Sequence, residues 1–107
     1  MSGEHVLVCV AWPYANGPLH LGHVAGCYLP PDIQTRFERA KGNKVLLVSG
    51  SDEHGTPITV TAETMGIDPQ SVVDKYHALN IQALKNLGCV WEPNVDTRGP
   101  EYGGALF

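Results

Sequence analysis

Two unbroken apolar runs, Val6-Leu7-Val8-Cys9-Val10 and Val45-Leu46-Leu47-Val48, flank a helical stretch of this 107-residue sequence, and that order constrains the fold more than any other feature. Neither run alternates with polar residues, so each suits a strand covered on both faces of a parallel sheet. Between them Leu21, Val24, Ala25 and Tyr28 recur at helical spacing as far as Pro30-Pro31. Those prolines remove backbone donors and crowd the preceding turn, so the helix is expected to kink or break there and to restart near Asp32. The second part has Ile33, Phe37 and Ala40 on one face and Arg36, Glu38 and Arg39 mostly elsewhere, before Gly42 ends it. Strand, helix and strand with a crossover of this length predict a right-handed βαβ unit with parallel strands. The class is α/β, an open parallel sheet flanked by helices.

The turn that leaves the first run carries the chemistry. It reads Ala11-Trp12-Pro13-Tyr14-Ala15-Asn16-Gly17-Pro18-Leu19-His20-Leu21-Gly22-His23. Pro13, Gly17 and Pro18 punctuate it, and Pro18 suits the first turn of a helix, where its missing N–H is harmless. His20 and His23 then fall in or beside that turn, where unpaired N–H groups and the helix dipole favour an anion such as phosphate. A spacing of three puts both imidazoles on one helical face, and Gly22 removes a side chain that would keep a ligand off the backbone. A His-x-x-His pair also fits surface chemistry or half of a metal site. No third or fourth ligand stands at sensible spacing, so no metal is predicted here.

The second run leads into Ser49-Gly50-Ser51-Asp52-Glu53-His54-Gly55-Thr56-Pro57. In an open parallel sheet this loop shares an edge with the first turn, since both follow strand carboxyl ends, and ligands bind there. The plainer alternatives make Asp52 a turn residue and His54 an exposed loop side chain. Thr56 reads as a helix cap, with Pro57 at the first helical position. Ile58, Ala62 and Met65 form the buried stripe of a short helix stopped at Gly66. Asp68 caps and Pro69 opens a longer helix whose buried stripe is Val72, Tyr76, Leu79, Ala83 and Leu87, ended by Gly88. His77 lies beside that stripe and reads as structural. A short strand near Val95 and a helix beginning within Glu101 to Phe107, weakened by Gly103-Gly104, complete the expectations.

Composition narrows the class. At 43% hydrophobic and 17% charged, the chain is an ordinary globular domain or part of a larger one. No apolar run approaches the roughly 20 residues of a membrane span, and the first residues lack the pattern of a signal peptide, so the cytoplasm is expected. Cys9, Cys27 and Cys89 are scattered and odd in number, which indicates neither a disulfide framework nor a zinc knuckle. They read as reduced, mostly buried small hydrophobes. A net charge of −4 with seven Lys and Arg gives no strong footprint for nucleic acid.

The segment Pro13-Tyr14-Ala15-Asn16-Gly17 followed by His20-Leu21-Gly22-His23 resembles the signature of class I aminoacyl-tRNA synthetases, whose HxGH motif binds ATP. Paired with Ser51-Asp52-Glu53-His54-Gly55-Thr56-Pro57, it is similar to the methionyl-tRNA synthetases. Relatives specific for isoleucine, valine and leucine share the HxGH turn but typically carry Gly-Trp-Asp and then His-Gly-Leu-Pro in the second loop. Here no tryptophan precedes Asp52, and Thr56 stands in place of that leucine. The resemblance covers nearly the whole chain, strongly from 6 to 66 and thinly after about 90.

It implies that residues 1–107 are the N-terminal half of a Rossmann-like, HUP-type catalytic domain. The complete enzyme would activate methionine with ATP, accompanied by Mg2+, and transfer it to tRNA. By the resemblance, the backbone near Trp12, the side chain of Tyr14 and Asp52 hold methionine, with His54 lining the pocket. His20, Gly22 and His23 hold ATP, with Asn16 and Gly17 close by. The lysine-rich KMSKS loop, the connecting insertion with its zinc knuckle and the helical anticodon-binding domain have no counterpart in this sequence. Zinc is therefore expected only in that insertion and tRNA mainly on absent domains, and these 107 residues alone are expected to be inactive. Gly99 to Phe107 fits the family poorly.

The chemistry is consistent with those assignments. Adenylate formation is an in-line attack by a carboxylate on an α-phosphate, and fixed donors aimed at the growing phosphate charge are worth about 3 to 4 kcal/mol each. His20 and His23 fit that catalytic role as donors, without acting as bases. The ammonium group of an amino acid needs an anion, for which Asp52 is the natural candidate. Two other classes remain open from the sequence: a small HxGH nucleotidyltransferase, and a non-catalytic binding module retained from a synthetase. Calorimetry separates them, since methionine binding marks the synthetase, ATP or pantetheine-type ligands without methionine mark the transferase, and neither marks the remnant.

Overall fold

The computed structural model describes residues 3–89, 98–99 and 104–106. Strand β1 (His5–Cys9) pairs in parallel with β2 (Lys44–Val48), His5 opposite Lys44 and Cys9 opposite Val48. The predicted βαβ unit is therefore present. Its crossover is one continuous helical rod: α1 (Leu21–His23), a π turn (Val24–Tyr28) and α2 (Leu29–Ala40), closed by Gly42 at φ +91.

The rod corrects the expected restart at Asp32. Helix α2 resumes at Leu29, with the prolines in its first turn. The widening comes before them: the Leu29 N–H reaches back five residues to the Val24 carbonyl. A π turn carries one extra residue and so rotates the faces that follow it. The side chains buried along the rod are consequently Tyr28, Asp32 and Thr35, while Ile33 is 62% and Phe37 56% exposed. Pairing makes burial of a carboxylate tolerable: Arg36 Nε donates to Asp32 Oδ2 at 2.9 Å, and the same guanidinium donates to the Gly88 carbonyl.

The expectation of a strand covered on both faces is met on one side only among the described residues. Val10, Leu47 and Tyr28 join Leu84 and Cys89 in a core, with Val8, Leu19, Cys27 and Leu29 packed against it. On the other face Leu7 is 61% exposed, and Cys9 lies open too, against the expectation of mostly buried cysteines. Burial pushes the Cys89 thiol above its usual range.

Strand β3 (Gly50–Asp52) occupies part of the expected loop and pairs antiparallel with β5 (Gly104–Leu106), which also pairs with β4 (Arg98–Gly99). Residues 104–106 are thus extended where a helix start was expected, as suits a segment in which glycine weakens helix by about 1 kcal/mol. The strand expected near Val95 lies outside the described residues.

Helix α3 (Thr56–Met65) begins one residue earlier than read, capped by Gly55 at φ +111 with Thr56 already helical. Helix α4 (Pro69–Asn86) is capped as expected by Asp68, which accepts from the Ser71 N–H at 3.0 Å. Hydrogen bonds from the Ser71 hydroxyl and N–H hold the Asp68 carboxyl below its ordinary range. Ile58, Ala62, Val72 and Val73 form a second core with Ala15 of the first turn, while Met65 is exposed.

The stripe on α4 is rotated from the expected one. Val72, Val73, Asn80 and Leu84 are buried, whereas Leu79 and Leu87 are exposed. A polar Asn80 inside the packed face displaced the expected phase. Urea unfolding checks the assignment. Leu84→Ala is expected to destabilise by about 2 to 5 kcal/mol, and Leu79→Ala by less than about 1 kcal/mol. The reverse order would restore the Leu79 stripe.

Candidate active site

The two carboxyl ends meet as expected. Beyond β1 the Val10 N–H still donates to the Val48 carbonyl at 3.0 Å, and Ser49 Oγ donates toward the Val10 and Ala11 carbonyls at 3.2 and 3.4 Å. The Tyr28 hydroxyl donates to the Ala11 carbonyl at 3.2 Å, and burial raises its pKa, keeping it a donor. The chains then pair once more: the Asp52 N–H donates to the Pro13 carbonyl at 2.8 Å and the Ala15 N–H to the Asp52 carbonyl at 3.1 Å. Tyr14 and Asp52 are therefore adjacent in a parallel bridge.

Asp52 Oδ1 accepts from the His54 N–H at 3.1 Å, so the carboxylate is oriented by its own loop while staying half-buried. His54 is exposed, as the plainer reading expected. The Tyr14 ring borders Gly55, where a β-carbon would stand 3.5 Å from Cε1. Trp12, Asn16 and Gly17 are half-buried along the same turn.

The histidines form a unit. Pro18 precedes the helix instead of entering it, and His20 is the N-cap. His20 Nδ1 accepts from the His23 N–H at 3.3 Å, His23 Nδ1 accepts from the His20 N–H at 3.1 Å, and the rings stack at 3.7 Å between centroids. An accepting Nδ1 carries no hydrogen, so each ring's proton sits on Nε2. The reciprocal cap thus fixes two Nε2–H donors on neighbouring rings. It also uses two N–H groups that sequence alone left for a ligand.

Gly22 gains a more specific reason. A β-carbon there would lie 3.0 Å from His20 Cε1 and 3.2 Å from Nδ1. The missing side chain makes room for the His20 ring.

Two contacts from α4 were not foreseen as parts of the site. Ser51 Oγ lies 2.7 Å from His77 Nδ1, and Asn80 Oδ1 accepts from the Leu19 N–H at 3.2 Å. A polar pair three apart on one helical face was the available signal. Among the described residues no three His, Cys, Asp or Glu side chains converge as metal ligands, and no helix is long and apolar enough to cross a membrane.

Gly22→Ala tests the cap. Helix propensity favours alanine by about 1 kcal/mol, against about 0.5 to 2 kcal/mol for a lost cap. Stability should therefore change little while the His20 ring is displaced. Two-bond 15N–1H NMR is expected to show His20 as the Nε2–H tautomer in the parent chain and as a mixture in the variant; unchanged spectra would refute the crowding.

The arrangement has known counterparts. A family model described as tRNA synthetases class I (M) matches residues 6–101. A methionine–tRNA ligase of Picrophilus torridus is 57% identical over 99 residues, covering 92% of this chain and 14% of that protein. One from Chlorobium limicola is 60% identical over 88 residues, 79% of this chain and 12% of that protein. Mycobacterium tuberculosis methionyl-tRNA synthetase in complex with methionyl-adenylate shares the fold, with a TM-score of 0.81 at 20% identity over 94% of this chain and 19% of that one. A LeuRS of Agrobacterium radiobacter K84, in a ternary complex with tRNA and LeuAMS, gives 0.78 at 28% identity over 85% and 12% of the two chains. The chain spans 12–15% of the length of the curated relatives it matches. With its parallel βαβ unit, paired strand ends and HxGH cap, the chain has the Rossmann-like synthetase fold and belongs to the class I (M) family of tRNA synthetases.

Proposed function

We propose that the protein containing this chain is a methionine–tRNA ligase, and that residues 1–107 are the N-terminal half of its Rossmann-like catalytic domain. The observation that carries this reading is the bridge between Tyr14 and Asp52, which sets an aromatic ring and a carboxylate side by side at the carboxyl edge of the sheet. Identities of 52–60% to methionine–tRNA ligases favour it over the nucleotidyltransferase and the binding remnant.

In the reaction, a methionine carboxylate oxygen attacks the α-phosphorus of ATP. The new O–P bond forms as the bond to the β-phosphate bridge breaks, and pyrophosphate leaves with that electron pair. His20 and His23 donate from Nε2 to the phosphate oxygens on which charge grows, and Gly22 keeps the His20 ring in place. Asn16 and Gly17 border the nucleotide. Asp52 holds the methionine ammonium group, the Trp12 backbone and Tyr14 ring flank the amino acid, and His54 lines the pocket. Mg2+ arrives on the ATP phosphates as part of that substrate, and any zinc belongs to an insertion outside these residues. The methionyl group then passes to tRNA, which is held mainly by other parts of the protein, as a segment of net charge −4 suits. Its place of action is the cytoplasm.

Methionine-dependent ATP–pyrophosphate exchange tests these roles in the full length that the gene encodes. Asp52→Ala should raise the methionine KM about ten- to a hundredfold, the equivalent of about 1.5 to 3 kcal/mol for a charged hydrogen bond, and the ATP KM far less. Equal effects would count against Asp52 as the ammonium partner. His20→Ala and His23→Ala should each lower the exchange rate on the order of a hundredfold; unchanged rates in both would remove the histidines from the chemistry. Residues 1–107 expressed alone should show no exchange, and exchange lost in a His20/His23 double variant would show a self-sufficient catalyst.

A further inference from the structure

The two contacts from α4 reach the residues immediately before the two groups that the proposed function uses. Ser51 is fully buried, bonds to His77, and precedes Asp52. Leu19 bonds through its N–H to Asn80, and precedes His20. His77 and Asn80 are three residues apart and share one face of α4.

Asn80 is a poor choice for packing alone. It is fully buried between Val73 and Leu84, and among the described residues its Nδ2 has no hydrogen-bond partner. For packing alone, an apolar side chain would fill this position without burying the amide's own unpaired Nδ2. What the amide provides instead is its Oδ1 contact to the backbone of the HxGH turn.

Resting on the functional reading above, we propose that His77 and Asn80 are positioning residues that hold the two halves of the site in register. His77 acts on the amino-acid half through Ser51, and Asn80 acts on the nucleotide half through Leu19. One rigid helix carries both contacts, so the spacing between the ammonium-binding carboxylate and the phosphate-binding histidines is set by a single element. Small misplacements at such distances cost rate steeply.

The test uses the full length that the gene encodes and two readouts. In methionine-dependent pyrophosphate exchange, His77→Phe should raise the methionine KM about tenfold with the ATP KM within about twofold, and Asn80→Leu should lower kcat about tenfold with the methionine KM within about twofold. His77→Asn, which restores a polar atom near the Nδ1 position, should recover most of the loss. In amide hydrogen exchange, His77→Phe should speed exchange in residues 50–55 but not 19–24, and Asn80→Leu the reverse. Matching changes in both segments for each variant, or no change in either, would overturn the proposal. If Asn80→Leu does not fold, Asn80→Ser removes the amide with less bulk and is held to the same pattern. A wild-type protein that exchanges pyrophosphate with no amino acid would sink the functional reading, while hydrogen exchange would still decide the positioning roles.

Discussion

The backbone bridge between Tyr14 and Asp52 is the constraint on which the site depends. Strands β1 and β2 run in strict register to Cys9 and Val48, then separate and meet again at Tyr14 and Asp52. Five steps lead from Cys9 to Tyr14 and four from Val48 to Asp52, so the first chain carries one residue more than its partner. An extra residue in one of two paired strands breaks the ladder locally and re-aims the side chains beyond it, as a bulge does. The Val10 and Ala11 carbonyls released in that gap are taken by Ser49 and Tyr28. A buried serine and a buried phenol thus stand where an apolar residue would leave acceptors unsatisfied. Downstream, Ala15 inserts into the core between α3 and α4 and fixes the turn from its far side.

Much of this architecture was legible in the sequence because its signals are local. The apolar runs gave both parallel strands, Gly42, Gly66 and Gly88 marked turns with positive φ, and Asp68-Pro69 marked a helix start. The HxGH spacing placed the two imidazoles together. What it could not give was the reciprocal cap, because the same residues are compatible with a helix that starts at Pro18 and leaves its N–H groups to a ligand. The choice depends on whether the His20 ring can fold over Gly22, and that is a matter of three-dimensional crowding.

Phase was the least legible property. The stripe of Ile33, Phe37 and Ala40 follows apolar residues alone, whereas beyond the π turn the structure turns Asp32 and Thr35 inward and Ile33 and Phe37 outward. Nothing in residue types alone announces that turn, yet its logic is visible afterwards. Pro30 and Pro31 bring no N–H, so the Gly26 and Cys27 carbonyls lose the partners a regular α-helix would give them, and the wide turn in which the Leu29 N–H serves Val24 lies directly before this break.

The error on α4 has a different origin, and it bears on how the site is held. Counting apolar residues favours the face of Leu79 and Leu87, yet the packed face carries Asn80 at its centre with His77 beside it. Local pattern and tertiary structure disagree on the face that carries the two residues reaching Leu19 and Ser51. Such disagreements concentrate where a position serves something besides the core. Burial of Val72, Val73 and Leu84 holds the helix against the turn, and that apolar packing offsets the poorly satisfied amide. The same helix is clipped at its end by the Arg36 guanidinium, which joins Asp32 on α2 to the Gly88 carbonyl. The crossover rod that starts at His20 and the helix that grips Leu19 and Ser51 are therefore fastened to each other at a point remote in sequence from the site. The histidines and the Asp52 loop belong to one braced frame, although they sit on separate loops.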